Sequence, residues 1–252
     1  MAKTNLFLCW LLFICQTGFA QQNLFNVPSS EIVAPKKAFF QQQSNLTAED
    51  WQFVSTVSYG LGRKTEIGLN VYGIRLNPRL RDSVLLTNGN LREGALYPAL
   101  LLNAQKAFRL TEILQTSLGT QTGLNLGADK RLLSYNYLNV TAQLGQTQTR
   151  LIAGLHTFNK AFVGDRNGSE QTDAANNWFA GFHLGVQQSI IRDKLELTAD
   201  FISGKHELGE SAWGLDYHLT KTWVLSVAYQ LPNPQSAVQP GVIIGLTYVP
   251  EE

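Results

Sequence analysis

From residue 195 to residue 201 apolar and polar side chains alternate without a break: Leu195, Leu197, Ala199 and Phe201 share one face, Glu196, Thr198 and Asp200 the other. A period of two puts successive side chains on opposite faces of an extended chain, so this spacing predicts a strand with one apolar and one polar surface. The same split recurs at Trp223, Leu225, Val227, Tyr229 and Leu231 against Ser226 and Gln230, and at Ala180, Phe182, Leu184 and Val186 against His183, Gly185 and Gln187. With weaker repeats it predicts about twelve strands, at 37–46, 51–61, 65–75, 96–108, 111–124, 132–144, 148–159, 178–190, 194–204, 210–219, 222–231 and 241–249. No comparable helical period competes with it.

Many of these runs reach ~10 residues, the length a tilted strand needs to cross a hydrocarbon core, whereas globular strands centre on ~5–6. The connections alternate in length. Tight turns at Gly62-Arg63-Lys64, Arg109-Leu110, Gly145-Gln146-Thr147, Arg192-Asp193 and Thr220-Lys221 are separated by longer segments at 76–95, 125–131, 160–177, 205–209 and 232–240. Outer-membrane barrels have this rhythm, with short periplasmic turns and longer external loops. In lipid every backbone donor and acceptor needs an internal partner, so a sheet that crosses must close on itself. The expected fold is all-β, a transmembrane antiparallel up-and-down β-barrel of about twelve strands. The competing reading is a soluble secreted β-sandwich or lipocalin-like binding protein, which would turn its large apolar residues inward.

Composition changes this picture at the N-terminus. Lys3 precedes an apolar run from Leu6 to Cys15 that is too short to span a bilayer, and Gly18 and Ala20 fit a small-x-small cleavage site. Residues 1–20 are therefore expected to be a cleaved signal peptide, cut after Ala20, which removes both cysteines, Cys9 and Cys15. Residues 21–36, with Pro28 and Pro35, resist helix and central strand and are read as a periplasmic lead-in, leaving 37–252 as the barrel. The balance of 20 basic and 19 acidic residues supplies no field for nucleic acid.

The stretch Tyr59 to Gly73, YGLGRKTEIGLNVYG, joins a tyrosine-glycine pair, a short turn and a glutamate-apolar-glycine-apolar run. It resembles the MetA-pathway phenol-degradation group of Gram-negative outer-membrane barrels, and VPSSEIVAPKKAFFQQQSN is similar to the approach to the first strand in Bacteroidetes barrels. The resemblance implies an outer-membrane channel for small hydrophobic or aromatic compounds and brings no catalytic residue.

The polar face names the candidate lumen lining: Glu66, Asn70, Gln105, Gln121, Gln143, His183, Asp200 and Asp216. If His183, Asp200 and Asp216 share a height, they form a constriction or a weak metal site; the alternative is ordinary polar lining. Lumen glycines, among them Gly60, Gly119, Gly154, Gly185 and Gly214, are expected to relieve crowding. Tyr97, Trp178, Trp213, Trp223, Tyr229 and Tyr248 are expected to form girdles at the membrane interfaces. The loop Asp165 to Glu170 lacks the ligand spacing of a calcium loop. A lipid-acting enzyme would need serine, histidine and an orienting partner together, and the pattern offers no such grouping. The expected function is a passive pore or transporter without cofactor or metal, with outer-membrane lipids, the barrel-assembly machinery and a small permeant as partners. The alternative is a non-conducting structural or adhesion barrel.

Overall fold

The computed structural model describes residues 23–79, 85–89, 95–127, 130–145, 147–164, 178–236 and 238–251. The expected signal peptide with its cleavage after Ala20, and the loop Asp165 to Glu170, lie outside them. The strands are β1 Ala38–Thr47, β2 Trp51–Gly62, β3 Thr65–Leu76, β4 Leu85–Leu86, β5 Ala99–Arg109, β6 Leu114–Asn125 and β7 Leu132–Leu144. They continue as β8 Thr149–Asn159, β9 Trp178–Ile191, β10 Leu195–Ile202, β11 Glu210–His218, β12 Trp223–Pro232 and β13 Gly241–Tyr248. The two-residue β4 pairs with Arg75 and Leu76 on the rim. The other twelve form one antiparallel ring.

Each barrel strand pairs with its sequence neighbours, and the ring closes where β1 meets β13, in register from Phe40 opposite Tyr248 to Thr47 opposite Gly241. Closure leaves no edge among the barrel strands, which removes the unpaired donors and acceptors that hydrocarbon would penalise. One closed sheet has no second sheet to pack on, so the sandwich alternative falls. At the β2–β3 turn both linking residues, Arg63 and Lys64, have positive φ, 50° and 55°. That is the two-residue geometry whose twist matches paired antiparallel strands.

The exterior inverts the order of a water-soluble protein. On β2, Val57, Tyr59 and Leu61 are about half exposed while Thr56 and Ser58 are buried; on β9, Phe182, Leu184 and Val186 face out while His183 and Gln187 face in. A lipocalin-like barrel would show the reverse. From Trp178 to Ile190 the exposed face of β9 runs ~40 Å along the strand, or ~30 Å once tilted, enough for the ~25 Å apolar band of an outer-membrane barrel. Rings flank the band at both ends. Trp213 lies in register with Tyr229 towards the long connections, and Trp223 meets Tyr248 at 5.2 Å between centroids towards the short turns. Tyr97 departs from the expected girdle: its ring lies under the Arg75 guanidinium at 4.1 Å and borders the lumen. Period two assigns a face only inside a strand, and Tyr97 precedes β5, beside Pro98.

Glycine meets a real close approach at Gly214, where a Cβ would lie 2.2 Å from the carbonyl oxygen of Val227 on the neighbouring strand. Backbone cannot yield as a side-chain tip can. Gly214→Val is expected to destabilise the barrel by ~1–3 kcal/mol through overpacking. A lower fraction of protein with heat-modifiable gel mobility would register that loss; an unchanged fraction would show that the strands separate freely there.

Candidate functional site

The lumen is occupied by the chain's own N-terminal segment. Residues 23–36, the described part of the 21–36 segment read from the sequence as a periplasmic lead-in, run inside the barrel, and proline content could not show this because the contacts that hold them are tertiary. Asn23 and Pro28 form a bridge around a turn in which the Leu24 N–H donates to the Val27 carbonyl at 3.0 Å. The segment leaves beside β2, where Lys36 N–H donates to the Gly60 carbonyl at 2.8 Å and Gly60 N–H to the Lys37 carbonyl at 3.1 Å. A Cβ at Gly60 would collide with the carbonyl of Ala34, so this glycine makes room for the passing chain.

Wall side chains satisfy the main chain of the segment. Asp200 Oδ2 accepts from the N–H groups of Asn26 at 2.6 Å and Val27 at 3.1 Å, and Glu66 Oε2 accepts from Val33 N–H at 2.7 Å. Gln105 Nε2 donates to the Ser29 carbonyl at 2.8 Å, Asn139 Nδ2 to the Pro28 carbonyl at 2.6 Å, and Gln115 to the Ser30 carbonyl. Glu31 and Arg150 form an ion pair at 2.5 Å. A buried backbone group left without a partner costs ~1–3 kcal/mol, so a segment with neither helix nor ladder needs such wall partners. Leu24 packs with Ile152 and Ile202 and fills the notch at Gly185, where a Cβ would stand 2.3 Å from Leu24 Cδ1.

The remaining sequence candidates are separated. His183 Nε2 lies 2.5 Å from Asn139 Oδ1 and its Nδ1 lies 3.2 Å from His156 Nδ1. Since an amide oxygen only accepts, the consistent tautomers run His156 Nδ1–H to His183 Nδ1 and His183 Nε2–H to Asn139, which passes on to Pro28. Asp216 accepts from Thr198 Oγ1 and Ser226 Oγ, each at 2.5 Å, and from Gln187 Nε2 at 3.2 Å. Asp200 stands opposite Ala212 and Asp216 opposite Glu196, four positions apart along β11, ~13 Å at the rise of a strand. His183, Asp200 and Asp216 therefore do not form one ring, and among the described residues no group of three or more His, Cys, Asp or Glu is placed to hold a metal. Asn70 accepts from Asn103 Nδ2 at 2.6 Å, Gln121 borders the cavity at the long-connection end, and Gln143 stands exposed at the opposite rim.

Above and below the segment lie two cavities with no lining residue in common: one of about 380 Å³ at the long-connection end and one of about 1320 Å³ at the short-turn end. Between them Leu24, Val27, Ser29 and Ser30 are fully buried. Sequence reasoning missed Arg150, Gln115 and the segment itself as parts of this site. The one available signal was Arg150, a charge on the inward parity of β8, and its partner Glu31 could not be read from spacing.

His206, in the connection between β10 and β11, packs its ring against Phe158 at 4.7 Å, and burial pushes its pKa down to about 4. Because this folded value lies below the ~6.5 of an unfolded histidine, the contribution of His206 to stability is complete above pH ~6.5 and declines as pH falls towards 4. Titration of its ring proton resonances is expected to give a midpoint near 4; a midpoint at 6.5 would mean that the ring is solvated.

No family model and no curated protein matches the chain. Among solved structures it is similar to the NanC porin at 12% identity and a TM-score of 0.52, covering 84% of this chain and 99% of that one. It is also similar to the KdgM porin, solved with disordered oligogalacturonate, at 12% identity and a TM-score of 0.50, covering 83% and 98%. The toluene transporter TbuX of Ralstonia pickettii aligns at 9% identity with a TM-score of 0.47, covering 86% and 90%. The chain shares the fold of outer-membrane β-barrel channels.

Proposed function

We propose that the chain is a Gram-negative outer-membrane β-barrel that serves as a passive pore or transporter for small solutes, with residues 23–36 as the plug that limits passage. The observation that carries this reading is a closed barrel with an apolar exterior and a polar interior holding a cavity at each end of its own N-terminal segment. The long connections then lie outside the cell, and both ends of the barrel ring, Ala38 and Tyr248, on the periplasmic side. A purely structural barrel needs no cavities on either side of a hydrogen-bonded segment. Membership of the MetA-pathway group, with hydrophobic or aromatic permeants, is supported by the Tyr59 to Gly73 motif alone.

Planar-bilayer recording tests the proposal. The full chain is expected to give small or brief currents, and removing the plug to make them large and steady. A folded barrel that stays silent with the plug removed would establish the structural reading instead.

A further inference from the structure

The cavity of about 380 Å³ at the long-connection end has a lining unlike that of a hydrophobic conduit. Among the described residues eleven of its lining side chains are asparagine or glutamine, from the plug as well as from the barrel wall. Each such amide presents donors and an acceptor on one side chain, which matches hydroxyl groups that also do both. Three buried polar atoms of its lining residues lack hydrogen-bond partners in the structure: Asn26 Nδ2 on the plug, Arg75 Nε on β3 and Tyr135 Oη on β7. Asn26 already uses its oxygen to accept from Gln43 Nε2 at 3.2 Å, so the free amide hydrogens await an acceptor. Gln121, the register partner of Tyr135, adds a further amide beside the phenol. Tyr72, Tyr97, Tyr135 and Phe162 contribute ring surfaces to the same cavity. Pockets of ~300–1,000 Å³ with convergent polar groups and apolar walls are the usual form of small-molecule sites.

Charge narrows the class. Among the described residues the one basic residue of the lining, Arg75, is engaged by Asp50 and Glu207, each at 3.7 Å, and by the Tyr97 ring. Glu49 adds another carboxylate, before the buried Glu210 is counted. An anionic solute would meet a described wall that is net negative and whose cation is already engaged by carboxylates, and an apolar solute would strip water from the amides without replacing their hydrogen bonds.

We infer that this vestibule is a binding site for a neutral polyhydroxyl solute, a small saccharide, held by the amides of the plug and the wall. The inference rests on the pore reading and names the solute class of that pore. It is tested on the full chain, refolded in a detergent without a sugar headgroup, by calorimetric titration with maltose, galacturonic acid and toluene. Maltose is expected to give saturable heat, weakened at least tenfold by Gln121→Leu and by Gln43→Leu and unchanged by Lys221→Gln at the opposite end. Heat-modifiable mobility confirms that each variant is folded, and either amide variant suffices if the other does not fold. Tighter binding of galacturonic acid or toluene, no maltose binding to folded protein, or maltose binding indifferent to both amide variants overturns the inference. Bilayer current from the barrel with residues 23–33 deleted separates the two readings. Current without maltose binding discards the saccharide site and keeps the pore, and maltose binding by a barrel that passes no current keeps the site and discards the pore.

Discussion

Deletion of residues 23–33 is expected to raise the single-channel conductance of the reconstituted barrel by at least about tenfold, since a twelve-strand ring lies between barrels filled by their own side chains and barrels with open channels. The deletion leaves closure intact, because the ring is sealed by β1 against β13, downstream of the plug. Glu66 and Asp200 lose the N–H groups of Val33, Asn26 and Val27 but face a lumen that water now fills, so neither carboxylate is stranded. A smaller change acts through the same anchor. Asp200→Ala orphans two main-chain donors at a cost of ~1–3 kcal/mol each, and is expected to give flickering openings of intermediate size. Conductance histograms of the three proteins, recorded at one salt concentration, check the order. Equal currents from all three would mean that the segment does not obstruct the path.

The second large effect concerns the outer surface. Leu184 stands midway along the exposed face of β9, between Trp178 and Ile190. Leu184→Arg is expected to destabilise the barrel in lipid by ~2–4 kcal/mol, the cost of a cation near the bilayer midplane. At an exposed position of a soluble protein the same change would stay within ~0.5 kcal/mol. Denaturant titration in vesicles, compared with the parent, measures the difference. A neutral result would place this face in water and remove the argument for a membrane-spanning band.

The strands were legible in the sequence because one physical cause repeats at every second residue: lipid requires an apolar side chain outside while the lumen accepts polar ones. Runs read at 51–61, 132–144 and 222–231 became Trp51–Gly62, Leu132–Leu144 and Trp223–Pro232. The plug was not legible as a plug. Pro28 and Pro35 announce that no regular element forms there, and that much is local. What places the segment in the lumen is hydrogen bonding to Glu66, Gln105, Asn139 and Asp200, residues scattered along four strands, and no period in the chain connects them to Val33 or Ser29. The polar face was visible, therefore, and the partner of each polar group was not. The separation of His183, Asp200 and Asp216 shows the same boundary: parity puts all three inside, but relative height depends on how neighbouring strands are staggered.

Fractionation of cells that express the full chain, with unheated and boiled samples of the outer-membrane fraction run side by side, tests the central claim most directly. Recovery in the outer membrane with a mobility shift on boiling is the predicted result, since a closed barrel with every strand paired resists detergent until heated. Recovery as a soluble protein with one mobility before and after boiling would contradict the membrane barrel and every inference built on it.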